Sequence, residues 1–394
     1  WPLNDVDRFI LAAQEAAGLS PAPDAEPHTW LRRVHLDLTG LPPSPGDIAS
    51  FALRPHDRET VVDRLLASPA FGERWARHWL DLTGYADQIG TSNNVFAEHA
   101  WRYRDYVIRA FNSDKPFDDF IREQVAGDLL PAATPEKRAE NLTATGFLVL
   151  GDVEIVAVDK LKMEHDLVDQ QVSKVGTAFL GMTLGCVRCH DHKFDPVAQA
   201  DYYALAGMFR STSSTHKTGN GVWSSVNRAA LPESPEQKAA REKAATAHRS
   251  RMQSLKAGLA ALTAQKADTR ALKAGIEHAE FFAPSGPQAF AVHDVEKPSD
   301  MRINIRGNPR APGDVVPRGA LRVASWAPFP AIPPGQSGRL QLAGWLADPR
   351  NPLTARVTVN RIWQKLFGEG LVRSVDYFGT RGDKPTHPVL LDHL

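Results

Sequence analysis

Only two cysteines occur in the 394 residues, and both fall in one pentapeptide, Cys186-Val187-Arg188-Cys189-His190. Two thiols three positions apart, followed at once by histidine, form the C-x-x-C-H pattern. In it a porphyrin edge is held by two thioethers while the imidazole ligates the iron. With no third cysteine to exchange with, the pair does not belong to a disulfide framework. The pattern predicts one covalent haem c, bound through Cys186 and Cys189, with His190 as proximal iron ligand. Two other chemistries use the same residue types. A C-x-x-C pair can be a dithiol redox site, usually opening a helix after a strand, whereas residues 172–184 ahead of this pair read as helix. Cys186, Cys189, His190 and His192 could also bind zinc. Structural zinc, however, draws its ligands from two separated pairs, because donors this close in sequence do not easily surround a tetrahedral ion.

The residues around the motif divide by what they can reach. Arg188 and Lys193 are cations that could pair with haem propionates, and solvated surface charge is the competing reading. His192 is too near along the chain to reach the opposite face of the same haem, so a propionate or a neighbouring backbone group is its expected partner. The sixth iron position decides the chemistry: methionine or histidine there gives an electron carrier, and an open site permits binding and reaction. Candidates are Met208, His78 and His165, with Met163 and Met182 behind them. Met208 follows on a separate helix, which suits a distal ligand, although core packing is the usual fate of a methionine. His78 stands in Trp75-Ala76-Arg77-His78-Trp79, whose aromatics could wall a pocket. His165 lies at helical spacing from Asp169, which could orient it.

Elsewhere the chemistry is sparser. Asp118, Asp119, Glu73 and Asp81 read as helix-surface or capping charges. Arg361 could hold a carboxylate or sulfate in bidentate fashion, or make a salt bridge to the first domain. No Gly-rich phosphate loop after a strand, G-x-S-x-G or H-E-x-x-H is present. Formal net charge is zero, so no global field draws the chain to nucleic acid or an anionic membrane. No segment reaches the ~18 apolar residues of a membrane span.

These residues need elements to hold them, and the sequence reads as mainly α. Apolar spacings of three and four recur from residue 4 to about 130. Asp5 can cap a first helix closed by Gly18. A second, near 28–38, stops at Gly40 before Pro42-Pro43, and Ser44 with Pro45 opens a third. A helix over about 160–184 delivers the haem motif. Residues 211–234, rich in Ser, Thr, Gly and Asn, read as a mobile loop. From 235 to about 279 the composition shifts to Ala, Lys, Gln, Glu and Arg around a narrow seam of Leu255, Leu259 and Leu262. That is a solvated helix or hairpin broken near Asp268-Thr269. Short strands fit at 289–292 and 302–305, and helices return at 342–347 and 354–367. The expected organisation is a multi-helix haem domain (1–215), a mobile loop and charged arm (216–282), and a small α+β domain (283–394).

Several runs carry a family resemblance: 186–196 (CVRCHDHKFDP) with the aromatic helix after it, 33–43 (RVHLDLTGLPP), 72–81 (GERWARHWLD), 101–110 (WRYRDYVIRA) and 115–131. Together these resemble the planctomycete cytochrome-c-associated domain family of unknown function. The runs 305–317 (IRGNPRAPGDVVP), 351–370 (NPLTARVTVNRIWQKLFGEG) and 385–391 (PTHPVLL) resemble the second domain that commonly follows it, here truncated. The resemblance implies an exported haem protein of bacteria that degrade polysaccharides. A start at Trp1 and extracytoplasmic haem attachment both lead to the expectation of a removed export signal and a periplasmic or envelope location. Three functions remain in view. One is an electron-transfer cytochrome with a redox partner protein. Another is a haem-dependent oxidoreductase acting on a sugar or oxidised sugar. The third is a scaffold whose arm docks a partner.

Overall fold

The computed structural model describes residues 2–90, 95–218 and 221–394. Trp1, and Gly219 and Asn220 of the expected loop, lie outside the described residues. Helix, 3₁₀ turns included, accounts for 55% of the described residues, and every sheet among them has two strands, so the fold is mainly helical.

The first helix, Asp5–Ala16, is capped by Asn4, whose side chain accepts from the Asp7 amide while Asp7 returns the bond. Asp5 is therefore the first helical residue rather than the cap. Pro27–Thr39 ends at Gly40 in the left-handed conformation, and Pro45–Leu53 opens with a Ser44/Asp47 capping box. With Arg58–Leu66 these helices bury Leu31, Leu38, Phe51, Val61 and Leu65 as a satellite core. The main core lies between Pro69–Thr83, Ala100–Asn112, Phe117–Ala126, Pro135–Ala144, Lys160–Leu180 and Gln199–Arg210. Val6, Phe9 and Ile10 of the first helix pack on Leu371, Val372, Leu390 and Leu391, so the two ends of the chain share a third cluster.

The segment expected as a mobile loop contains strands Thr212–Ser213, Thr215–Lys217, Ser224–Val226 and Arg228–Ala230. Two of them find partners far away. Thr212–Ser213 pairs with His293–Asp294, and Arg228–Ala230 with Gln288–Phe290, both antiparallel. Each strand has only two or three residues, too few for alternation to show, and its partner lies beyond the charged arm. The arm is a hairpin of Pro235–Ala264 and Arg270–Phe281, closed by Met252, Ile276 and Ala279 with Leu255, Leu259 and Leu272. It is inserted between the paired strands Arg228–Ala230 and Gln288–Phe290. Met301–Asn304 pairs with Pro312–Val316, and Arg339–Leu346, Thr354–Phe367 and Pro388–His393 complete the chain.

Lys160–Leu180 carries an inward-turned charge. The Lys174 ammonium donates to the Phe147 carbonyl at 2.9 Å and to that of Leu150, and lies over the Phe147 ring. Burial lowers its pKa to about 7 from the ordinary 10.5. Between those values the unfolded chain holds more protons than the folded one, so this group makes stability rise with pH. Below pH 7 both states are protonated and the burial penalty is complete. Urea unfolding of wild type and Lys174→Met at pH 6.5 and 9 should show the wild type gaining on the variant at the higher pH. Equal gains would remove Lys174 as the source.

Candidate functional site

The cysteine turn is positioned by the C-terminus of Lys160–Leu180. Asp159 caps the start of that helix through the Lys162 amide. At its end the Arg361 guanidinium donates to the Ala178 and Thr177 carbonyls, both at 2.6 Å, and is itself held by Asp376 at 2.8 Å. A cation on the last carbonyls satisfies groups the helix cannot pair internally and complements its dipole. Arg361 is thus a structural clamp between the C-terminal segment and the motif's helix. Gly181 then turns the chain at φ 57°, where an added Cβ would meet Phe378 and Val357 at 2.9 Å. The helix stops there, four residues before its expected end.

Residues Gly185–Arg188 form one 3₁₀ turn, anchored inward by the wholly buried Val187 while Cys186 and Cys189 are exposed. Cys186 lies in the turn and Cys189 caps its end three residues on, the spacing at which side chains of a 3₁₀ turn eclipse. The Arg188 carbonyl accepts from Tyr203 Oη and Gln199 Nε2, both at 3.0 Å, which fixes the backbone between them. Over Cys189 lies Gly307, at φ 72° after Arg306 at φ 54°; a Cβ at Gly307 would stand 2.6 Å from Cys189 Sγ. The 305–317 run therefore reaches the thiol turn from more than a hundred residues away. Sequence reasoning missed that approach, and a glycine in a run of Pro, Asn and Arg was its only signal.

His190 is exposed, with Nδ1 2.6 Å from the Asp191 carbonyl oxygen. A carbonyl only accepts, so Nδ1 donates, and in the neutral ring this leaves Nε2 as the nitrogen that can ligate a metal. His192 Nδ1 instead accepts the amides of Asp195 (2.8 Å) and Phe194 (3.3 Å). Its 3.5 Å approach to the Asp195 carboxylate is secondary, because those amide bonds require an unprotonated Nδ1. The expected backbone partner of His192 is therefore present. Asp195 in turn accepts from the Thr380 amide at 2.6 Å and its hydroxyl at 3.0 Å, stitching this loop to the C-terminal segment. Lys193 and Arg381 both lie over the exposed Phe194 ring. Arg188 is committed to Asp166 at 2.7 Å, with Asp169 at 3.8 Å.

The distal candidates divide between the core and a cavity wall. Met208 is fully buried and its Cγ packs against Gly338. His78 stacks edge-on with Trp75, and burial, then the Lys365 and Arg74 charges, lower its pKa to about 4. Met163 and Met182 are also core residues. His165 is the nearest in connectivity, one residue from Arg188's partner Asp166. Asp169 does not orient it; that carboxylate takes the Tyr202 hydroxyl at 2.6 Å. Instead the Asn304 amide donates to His165 Nδ1 at 2.8 Å. Burial, then Arg210 and Arg188, lower the His165 pKa to about 4. The ring lines an open polar cavity of about 630 Å³ with Arg210, Lys297 and Arg302.

The donor set fits covalent haem at this turn. Two accessible thiols stand three residues apart, and the following histidine donates from Nδ1, which leaves Nε2 of the neutral ring to ligate iron. The His165 cavity is not lined by Cys186, Cys189 or His190. Among the described residues no group of three or more His, Cys, Asp or Glu is placed to hold a metal ion, which leaves the zinc alternative without a ligand set. No helix of the described residues is long and apolar enough to cross a membrane.

A helical fold built around an exposed C-x-x-C-H turn defines a cytochrome-associated class of protein. The chain belongs to the planctomycete PSCyt2 family, a protein family of unknown function (DUF1549), whose model matches residues 5–214. Residues 338–394 match part of the model of PSD1, likewise a protein of unknown function (DUF1553). No curated protein and no solved structure matches the chain.

Proposed function

We propose that this protein is a monohaem c-type redox protein that carries its haem on the solvent-facing side of the 185–190 turn. Cys186 and Cys189 would hold the group by thioethers, and His190 Nε2 would ligate the iron. Bound there, haem supplies a one-electron couple whose potential rises or falls with axial ligation and exposure. The observation that carries the reading is the pairing of two exposed thiols, one in the 3₁₀ turn and one capping its end, with a histidine that donates from Nδ1. The chain's own residues do the rest. The Asp191 carbonyl orients the imidazole, Val187 and the bonds to the Arg188 carbonyl hold the turn rigid, and Lys193, which lies over the exposed Phe194 ring and has no ion pair to leave, is the cation proposed for a propionate. Arg188 serves Asp166 instead.

Exposure favours electron exchange with a partner protein at short range. The burial of Met208 and the separation of His78 favour an iron whose sixth position is left to solvent or a small ligand. That open position is also what an oxidoreductase acting on a sugar would need. Thioether formation, which takes place outside the bacterial cytoplasm, supports a periplasmic or cell-envelope location for the proposed holoprotein, and a role beside polysaccharide breakdown is what the family resemblance implies.

The test is co-expression with a cytochrome c maturation system and export to the periplasm. The product should be red, one haem heavier than its polypeptide, and should keep the haem through denaturation. Carbon monoxide should shift its Soret band. Cys186→Ala/Cys189→Ala should lose the covalent haem entirely, and His190→Ala should keep the mass increase while changing the spectrum. Colourless wild-type protein of polypeptide mass would end the proposal.

A further inference from the structure

Unusual backbone stands beside the cysteine turn. Among the described residues other than glycine, Asp114, Lys266 and Arg306 have positive φ. Asp114 and Lys266 each lie two residues past the end of a helix, Ala100–Asn112 and Pro235–Ala264, where a left-handed residue is common. Arg306, at φ 54°, ends no such helix, and Gly307 follows it at φ 72°. Backbone in this region persists only where its surroundings hold it, and such places cluster at functional sites. Here the pair brings main chain against one sulfur: a Cβ on Gly307 would stand 2.6 Å from Cys189 Sγ.

The approach is fixed from several directions. The Ile305 amide donates to the Ala311 carbonyl at 2.9 Å, and the Asn308 amide to the Ile305 carbonyl at 3.1 Å, which closes the tip of the 301–316 hairpin. Arg310 donates to Asp159, the cap of Lys160–Leu180, at 2.8 Å. Tyr203 Oη lies 3.3 Å from the Asn304 carbonyl oxygen and 3.0 Å from that of Arg188, between the hairpin and the cysteine turn. A side chain at 307 therefore has little room to gain by moving the hairpin.

We propose that Gly307 is the positioning residue for the thioether at Cys189: its missing side chain leaves the room that Sγ needs to carry a carbon. The inference rests on the haem reading and makes the two cysteines unequal. Thioether formation adds the thiol S–H across a porphyrin vinyl group, sulfur to the inner carbon and hydrogen to the outer one. Nothing is oxidised or reduced and no group leaves. The sulfur ends with a carbon in place of its hydrogen, and at Cys189 that carbon must fit beside the 305–308 turn. An added methyl at 307 crowds the same sulfur, and close-packed contacts have no slack for it. Cys186, inside the 3₁₀ turn, is not the sulfur that Gly307 meets.

The experiment measures iodoacetamide alkylation of each cysteine in the full haem-free chain, mapped by peptide mass spectrometry. Displacement of iodide makes a sulfur–carbon bond of the same kind without haem. Gly307→Ala should slow Cys189 roughly fivefold or more while Cys186 keeps its wild-type rate. Gly307→Asn carries the same Cβ on a residue that accepts positive φ, so it should show the same selectivity with less backbone strain. Gly313→Ala, on the same hairpin with an ordinary 3.4 Å contact to the Ile303 carbonyl, should alkylate like wild type. In the red holoprotein Gly307→Ala should lower the urea midpoint, and lower it less on a Cys189→Ala background, where no sulfur stands under the turn. A glycine needed only for the hairpin's own fold would cost the same in both. Colourless wild type overturns the haem reading and this inference with it. Red wild type overturns this inference alone if both Gly307 variants leave Cys189 at its wild-type rate, if they slow both cysteines equally, or if the two backgrounds lose stability equally.

Discussion

Arg339→Met is expected to lower the unfolding free energy by about 3–5 kcal/mol. The Arg339 side chain has no exposed surface, yet it lies in the core region of a protein whose sequence gives it no special context. Its guanidinium bonds both oxygens of Asp128 at 2.6 and 2.8 Å, Asp294 at 2.6 Å and the Val125 carbonyl at 3.2 Å. These contacts tie the end of Phe117–Ala126, the strand His293–Asp294 and the helix Arg339–Leu346 into one unit. Methionine fills much of the same volume, so the loss is not chiefly a cavity. It comes from two carboxylates left buried without their cation. Adding Asp128→Asn and Asp294→Asn should recover much of the loss at neutral pH, because the uncompensated charges are then removed. Urea midpoints at constant m-value measure all three. A loss below about 1 kcal/mol at pH 7, the range of exposed ion pairs, would show that the triad is solvated in solution.

The parts of this molecule that were legible in the sequence are those whose cause is local. The Ser44/Asp47 box, the stop at Gly40 and the charged arm follow from a few adjacent residues and their spacing. What could not be read depends on partners distant along the chain. Two of the strands in 212–230, Thr212–Ser213 and Arg228–Ala230, pair across the whole arm with 288–294, and two- or three-residue strands carry no periodicity to announce them. Gly307 covers Cys189 only because Met301–Asn304 brings it there. Arg361 has the residue type of an anion binder, and only the fold shows that its anions are the carbonyls of a helix end. His192 was half legible: a histidine in an Asp-rich turn tends to serve the backbone, as it does, but its link through Asp195 to Thr380 had no signal.

The aromatics beside His78 show the same limit, and they carry the second large effect. Trp75 and Trp79 could be read from sequence as the walls of a pocket, whereas both are buried. Trp79 is the hub of the main core, with ring centroids 5.0 Å from Phe120, 5.6 Å from Phe179, 6.0 Å from Phe147 and 6.1 Å from Phe117. Its Nε1 donates to Gln124 Oε1 at 2.9 Å and lies 3.1 Å from Tyr103 Oη. Trp79→Ala should cost about 3–5 kcal/mol, since it removes the apolar ring and leaves a cavity that four fixed phenylalanines cannot close. Trp79→Phe keeps most of the packing and deletes the donor. Gln124 Oε1 still accepts from the Tyr103 hydroxyl, so that variant should cost about 1–2 kcal/mol, one lost bond plus a smaller ring. The two effects also differ in place. Phe179 stands on the last turn of Lys160–Leu180, next to the Arg361 clamp, so Trp79→Ala should speed hydrogen exchange at 172–180 and loosen the base on which the cysteine turn rests. Alkylation of Cys186 and Cys189 should hardly change, because both thiols are already exposed. If Trp79→Phe proved as damaging as Trp79→Ala, the indole hydrogen bond rather than aromatic packing would be what holds the helix that presents the motif.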